Sequence, residues 1–181
     1  MAATRQVALL RGINVGRNKR IAMARLRQVL EELDYADVRT LLQSGNAVFT
    51  SAKRPDRVAR EIEQRIETDL DMQVSVVVRT EAELTAVVDA NPMPEHTGEP
   101  SRFFVVFLAQ APDAQRVAGV DAAELLPDVL HISGREAYLW CPNGVLGSKV
   151  PANFWDKRLG VVATARNWST VTKLADLAAA K

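Results

Sequence analysis

Over the first 80 residues, hydrophobic periodicity switches between 2 and 3.6 residues in a fixed order, and that order restricts the fold more than any other feature. Residues 6–14 (QVALLRGIN) carry a nearly continuous apolar run, as a central strand does. After the basic stretch GRNKR, Met23, Leu26, Val29, Leu30 and Leu33 recur at helical spacing up to Asp34. Val38 to Leu42 reads as a short strand, Gln43-Ser44-Gly45-Asn46 as a turn, and residues 47–51 (AVFTS) as the returning strand. Pro55 suits the first position of a helix with Val58, Ile62, Ile66 and Leu70 on one face. Residues 72–79 (MQVSVVVR) read as another strand. The order β-α-β-β-α-β predicts a ferredoxin-like split βαβ unit with both helices on one sheet face.

Thr80 and Glu83 have the spacing of a capping box for a helix through Val88. Three prolines and a glycine in residues 91–100 (NPMPEHTGEP) mark a linker. The pattern then restarts with a strand over 102–109 and helical residues 112–117, which 122–126 continue or follow. Strands over 129–133 and 136–141 flank Gly134-Arg135, a two-residue hairpin turn. A short helix over 151–160 precedes VVATA (161–165), which is a final strand or its approach. Asn167 or Ser169 caps a last helix carrying Val171, Leu174 and Leu177. The expected fold is α+β, two fused subdomains with ferredoxin-like order. They span residues 1–80 and 102–181, joined by a helix and linker over 81–101, and the second is less complete. One larger mixed sheet is the alternative.

With 181 residues, 48% of them hydrophobic and 25% charged, the chain can bury roughly 70% of its unfolded surface without staples. Collagen-like, disordered and cysteine-framework classes are excluded by this composition. No apolar run reaches the roughly 18 residues of a spanning helix, and the N-terminus lacks the apolar stretch of a signal peptide. A cytoplasmic location without membrane association follows as the expectation. The formal net charge of +1 conceals an uneven distribution. Residues 1–27 carry seven basic groups and no acid, residues 28–148 carry 10 basic and 20 acidic groups, and residues 149–181 carry six and two. Two basic ends brought together would form one positive patch on an acidic body.

Glycine and asparagine concentrate in the same basic segments. Arg11-Gly12-Ile13-Asn14-Val15-Gly16-Arg17-Asn18-Lys19 follows the first strand. Its glycines allow backbone N–H groups to turn toward an anion, with Arg11 as a fork and Lys19 as a point charge. The spacing is neither GxGxxG nor a P-loop, and a tight loop with ordinary surface charges is the competing reading. Gln43, Ser44 and Asn46 offer neutral donors and acceptors, or simply serve the turn. In the third segment, residues 164–173, Arg166 and Lys173 accompany a helix start. There Asn167 reads as a cap, and Trp168 as a stacking platform or a core residue.

Catalytic patterns are sparse. Ser44 has no histidine or lysine at a recognisable spacing, and no G-x-S-x-G elbow occurs. Asp69, Asp71, Glu31 and Glu32 read as solvent-facing helix residues. Cys141 stands alone and reads as a packed small hydrophobe. His96 and His131, 35 positions apart, have no partners at metal-site spacing, so neither a metal nor a cofactor is expected.

ALLRGINVG (8–16), LLQSGNAVF (41–49) and ATARNWSTVTKL (163–174) resemble the signatures of the DUF1697 family, bacterial proteins of unknown function. ANPMP (90–94) and YLWCPNG (138–144) extend the resemblance along the chain. It implies an α+β protein of two similar subdomains. The family pattern falls on Arg11, Gly12, Asn14, Gly16, Lys19, Met23, Gln43, Ser44, Gly45 and Asn46, then on Arg166, Asn167, Trp168, Thr170 and Lys173. Arg17 stands where members commonly have glycine, and Asp34 where a helix-ending glycine is usual. The leading functional expectation is binding of a phosphorylated small molecule, such as a nucleotide, or of single-stranded nucleic acid. The site would be a cleft between the subdomains lined by these three segments. An enzyme acting on a small phosphorylated or carboxylated substrate, or a protein-interaction module, are the alternatives. Oligomeric state is left open.

Overall fold

The computed structural model describes residues 2–14 and 19–180. Its chain divides into two compact units. Unit 1 comprises residues up to Ala86 together with the chain from Lys173 on, and unit 2 spans Val87–Thr172. The division therefore departs from a simple cut at the linker, because the C-terminal segment groups with the N-terminal unit.

Unit 1 holds β1 (Thr4–Leu10), α1 (Met23–Glu31), β2 (Ala36–Leu41), β3 (Asn46–Ser51), α2 (Pro55–Leu70) and β4 (Val76–Thr80). Its antiparallel sheet has the order β2-β3-β1-β4, as the split βαβ reading requires. Register pairs Thr4 with Ser51, Leu9 with Asn46 and Leu10 with Val76. Ala8, Leu10, Ala47, Phe49, Val76 and Val78 share one face and pack with Leu26, Val29 and Leu30 of α1 and Val58, Ile62 and Ile66 of α2. Each large side chain buried there contributes about 1.5–3 kcal/mol of transfer energy. Tyr35 stacks on Phe49 with ring centroids 4.8 Å apart. The opposite-facing Val7, Leu9, Val48 and Val77 are buried too, which accounts for the uninterrupted apolar runs.

Helix α1 ends where the sequence places Asp34 at a glycine position. Asp34 is left-handed at φ 61°, Tyr35 N–H donates to Leu30 C=O, and Asp34 N–H donates to Glu31 C=O. This pair of bonds is a Schellman closure in which Asp stands in for glycine. Between β4 and α3 (Glu81–Asp89) the expected capping box is present. Glu83 N–H donates to Thr80 Oγ1 at 3.2 Å, and Thr80 N–H donates to Glu83 Oε2 at 2.8 Å.

Unit 2 repeats the order with β5 (Phe103–Leu108), α4 (Ala114–Ala118), β6 (Val129–Ser133), β7 (Glu136–Trp140) and β8 (Ala163–Asn167), leading into α5 (Trp168–Ala179). Its sheet order, β6-β7-β5-β8, matches that of unit 1 position for position. The sheet is complete, and its last strand begins within VVATA and ends two residues past it. The helices are what this unit lacks. α4 has five residues, and a five-residue π-turn over Trp155–Leu159 replaces a counterpart of the 16-residue α2. Val106, Leu108, Ala137, Leu139, Cys141, Phe154, Trp155 and Leu159 form its core.

Candidate functional site

At one end of the unit 1 sheet, the segments after β1 and between β2 and β3 are tied together. Leu10 N–H donates to Gly45 C=O at 2.9 Å, and Arg11 N–H donates to Ser75 C=O at 2.8 Å. Asn14 is the organising residue. Its backbone N–H donates to Lys19 C=O at 2.9 Å, joining the two sides of the connection. Its side-chain oxygen accepts from Ile21 N–H at 2.9 Å, and its Nδ2 donates to Ile21 C=O and to Gln43 C=O at 2.6 Å. One amide thus joins the two connections, with Asn14 itself left-handed at φ 56°.

The hairpin is built as tightly. Asn46 Nδ2 donates to Leu41 C=O and to Ser44 Oγ, each at 2.9 Å. Gly45, at φ +81°, lies where an added Cβ would sit 2.7 Å from Ile13 Cδ1 and 2.9 Å from Leu10 Cβ. Gly12 is left-handed as well, but open space surrounds it. Around this scaffold Lys19, Arg20, Gln43 and Ser44 are exposed and Arg11 is half-buried. Lys19 Nζ donates to Gln73 C=O at 2.8 Å beside a cleft of about 370 Å³ that Glu63, Glu67 and Ser75 also line. Arg11, Gly12, Asn14, Lys19, Gln43, Ser44 and Asn46 are thereby brought to one sheet end. Gly16 and Arg17 lie outside the described residues.

Unit 2 serves as an internal control for what the topology alone demands. At the same place, Leu108 N–H donates to Arg135 C=O and Ala109 N–H to Val162 C=O, repeating the bonds of Leu10 and Arg11. Yet its chain passes from β5 to α4 in five residues, 109–113, and from β6 to β7 in two. Unit 1 uses 12 residues, 11–22, and four, 42–45. The added length is the segment that carries Arg11, Gly12, Asn14, Lys19 and Arg20.

The third sequence-predicted segment is occupied with structure. Arg166 is buried, its Nη1 donating to Thr164 Oγ1 and Ala165 C=O, each at 2.8 Å. Burial lowers its guanidinium to about 10, which leaves it protonated at neutral pH. Asn167 Oδ1 accepts from Thr170 N–H at 3.0 Å and caps α5. Trp168 is buried with its ring 5.2 Å from that of Phe103, and Lys173 is exposed.

The basic N-terminal segment is partly neutralised by acids from the middle of the chain. Arg5 lies 3.7 Å from Asp37 and also donates to Ala180 C=O at 3.3 Å. Arg25 and Arg65 both bind Asp69, at 2.8 and 2.7 Å, and both pair with Glu32. Asp69 and Glu32, read from the sequence as solvent-facing, are therefore the hub of a network joining α1 to α2. Hydrogen bonding from Arg65 leads the effects that hold Asp69 below the usual carboxylate range.

Sequence reasoning missed three groups. Arg79 is 1% exposed at the end of β4 and pairs with Val7, just as Arg166 of β8 pairs with Val105. A basic residue closing an apolar strand and preceding a helix cap, Arg79-Thr80 and Arg166-Asn167, is the signal that would have found both. Asp128 is buried, its Oδ2 accepting from Ser148 Oγ at 2.6 Å and Lys149 N–H at 2.7 Å. Cys141 is buried nearby, and burial pushes its thiol up; the Ser148 hydrogen bond opposes this and the charge of Asp128 adds to it. The third group is a set of cations, Lys53, Arg54, Arg57 and Arg60, around the start of α2. Among the described residues, no group of three or more His, Cys, Asp or Glu is placed to hold a metal ion. No described helix is long and apolar enough to cross a membrane.

A family model described as "Protein of unknown function (DUF1697)" matches residues 3–138. No curated protein matches the chain. The solved structure of a conserved bacterial protein from Streptococcus pneumoniae is similar at a TM-score of 0.73 and 25% sequence identity, over 98% of this chain and 99% of that one.

Proposed function

The chain belongs to the DUF1697 family of proteins of unknown function, and from that premise we propose that it binds a phosphorylated ligand, a nucleotide or single-stranded nucleic acid, at the loop end of unit 1. The observation that carries this reading is the inequality of the two units at equivalent places. Unit 2 makes the same strand exchange with short connections, so the longer, cross-tied connections of unit 1 exceed what the fold needs. Arg11, Lys19 and Arg20, kept near the polar atoms of Gln43 and Ser44 by the bonds of Asn14, suit phosphate oxygens. Asn46 and Gly45 act through the hairpin they build.

Anisotropy titration of fluorescent mixed-sequence single-stranded RNA and DNA, at several salt concentrations, tests the proposal. Expected is micromolar binding that weakens linearly with log salt. Replacing Arg11 and Lys19 by alanine should weaken it about tenfold and reduce the salt slope by about 2, with the thermal midpoint nearly unchanged. Absence of binding to either polymer at about 50 mM salt, joined by absence of mononucleotide binding in saturation-transfer NMR, would remove the reading.

A further inference from the structure

A second cationic cluster lies at the other end of the same sheet. Strand β3 leaves the loop end at Asn46 and runs about 17 Å to Ser51, after which the chain enters α2. There Lys53, Arg54, Arg57 and Arg60, with Ala52 and Asp56, line a cleft of about 370 Å³. Four cations share two carboxylates. Asp56 serves Arg54 at 3.3 Å and Arg60 at 3.3 Å, while Glu61 serves Lys53 at 2.7 Å and Arg57 at 3.0 Å. Glu61 also accepts from Tyr35 Oη at 2.8 Å, so its capacity is spread over three donors. The side chains of Arg54, Arg57 and Arg60 remain 74%, 65% and 69% exposed, with their forks reaching solvent at the cleft.

This arrangement runs against ordinary helix chemistry. A helix start favours Asp, Ser, Thr or Asn at the cap and acids in the first turn. α2 has one acid, Asp56, in its first turn, but Arg54 stands at its cap position with no side-chain cap bond, and three of the four cations lie within its first six residues or at its cap. Surface cations gathered beyond their carboxylates repel one another unless an anion joins them. The surplus of two positive charges matches a dianion, and guanidinium forks bind phosphoryl oxygens in pairs.

We propose that the cleft formed by Lys53, Arg54, Arg57 and Arg60 is a binding site for the phosphoryl group of a small phosphomonoester, separate from the loop-end site and independent of it. The cleft's size accommodates a phosphoryl group with a few attached carbons, at the lower end of small-ligand pockets.

The test is a ¹H–¹⁵N NMR titration of the full chain with glycerol 2-phosphate, against glycerol and sodium chloride at matched ionic strength. Expected are saturable shifts confined to amides of residues 52–61, absent with glycerol. Arg57→Ala with Arg60→Ala should weaken saturation about tenfold, and Arg57→Lys with Arg60→Lys, which keeps the charge and removes the forks, should weaken it by a smaller factor. Arg11→Ala with Lys19→Ala, the pair that tests the loop end, should leave these shifts unaltered, so the two readings fail separately. Non-saturable shifts, shifts equal to those with chloride, or saturation unweakened in both Arg57/Arg60 pairs would overturn the proposal. A single-stranded oligonucleotide shifting the same amides at lower concentration than glycerol 2-phosphate would overturn it as well, replacing the ligand class.

Discussion

Gly45 shows how much of the loop end depends on one missing methyl group. Its positive φ strains any L-residue, and its Cα hydrogens face Ile13 and Leu10 inside the core. Gly45→Ala should destabilise the protein by about 2–4 kcal/mol, combining left-handed strain with overpacking. Urea denaturation followed by circular dichroism measures it, and a loss below about 1 kcal/mol would show that the hairpin simply shifts aside. The sequence announces a turn at Gln43-Ser44-Gly45-Asn46 but not this proximity, because Ile13 lies 32 positions away and only tertiary packing brings it under the turn. Asn14 is similar. Its residue type reads as ligand-facing from the sequence, whereas its amide is spent on Ile21 and Gln43. Asn and Gly are the residues of binding loops and also of closed loops, and local spacing does not separate the two.

At the level of elements, periodicity made β1 to β4 and their two helices legible because their apolar faces are long and regular. Unit 2 was harder for the opposite reason. Its helical pieces are too short to complete a repeat of 3.6, so the pattern over 112–117 and 151–160 carries little signal. Charge pairing between elements was illegible altogether, since Arg25 and Arg65 meet Glu32 and Asp69 only once α1 and α2 lie side by side. Those contacts give a pH dependence. Asp69 is depressed chiefly by Arg65. Glu61, which burial alone would raise, is depressed by hydrogen bonds from Lys53, Tyr35 and Arg57. A carboxylate held lower in the folded than in the unfolded chain contributes stability above its unfolded pKa, about 4, and loses it as pH falls through the folded value. Urea midpoints should therefore be level above about pH 5 and decline below about pH 4. Glu61→Gln combined with Asp69→Asn should flatten that decline, and an unaltered acid limb would assign it to other groups.

On the scale of the whole molecule, the two sheets share strand order, strand-end bonds and a buried arginine in equivalent register, while the longer connections, 11–22 and 42–45, belong to unit 1. The sequence made the duplication readable as an order of elements, but not the return of the C-terminal segment to the first unit. That return rests on fully buried Leu174 and nearly buried Ala178 and on the bond from Arg5 to Ala180, which no local pattern encodes. Leu174→Ala should remove about 2–5 kcal/mol and accelerate amide hydrogen exchange in β1 and β4. Acceleration limited to β5–β8 would contradict the grouping. All three tryptophans, at 140, 155 and 168, lie in unit 2, so their fluorescence reports that unit's unfolding directly. The placement of Lys173 and of the residues after it also bears on biosynthesis. A ribosome that has released β4 must add more than 90 further residues before the segment that completes unit 1 exists. At ordinary translation rates that is a wait of roughly 5–20 s. The first half of the nascent chain therefore spends that interval with part of its apolar surface uncovered, and chaperones have their longest opportunity to act there.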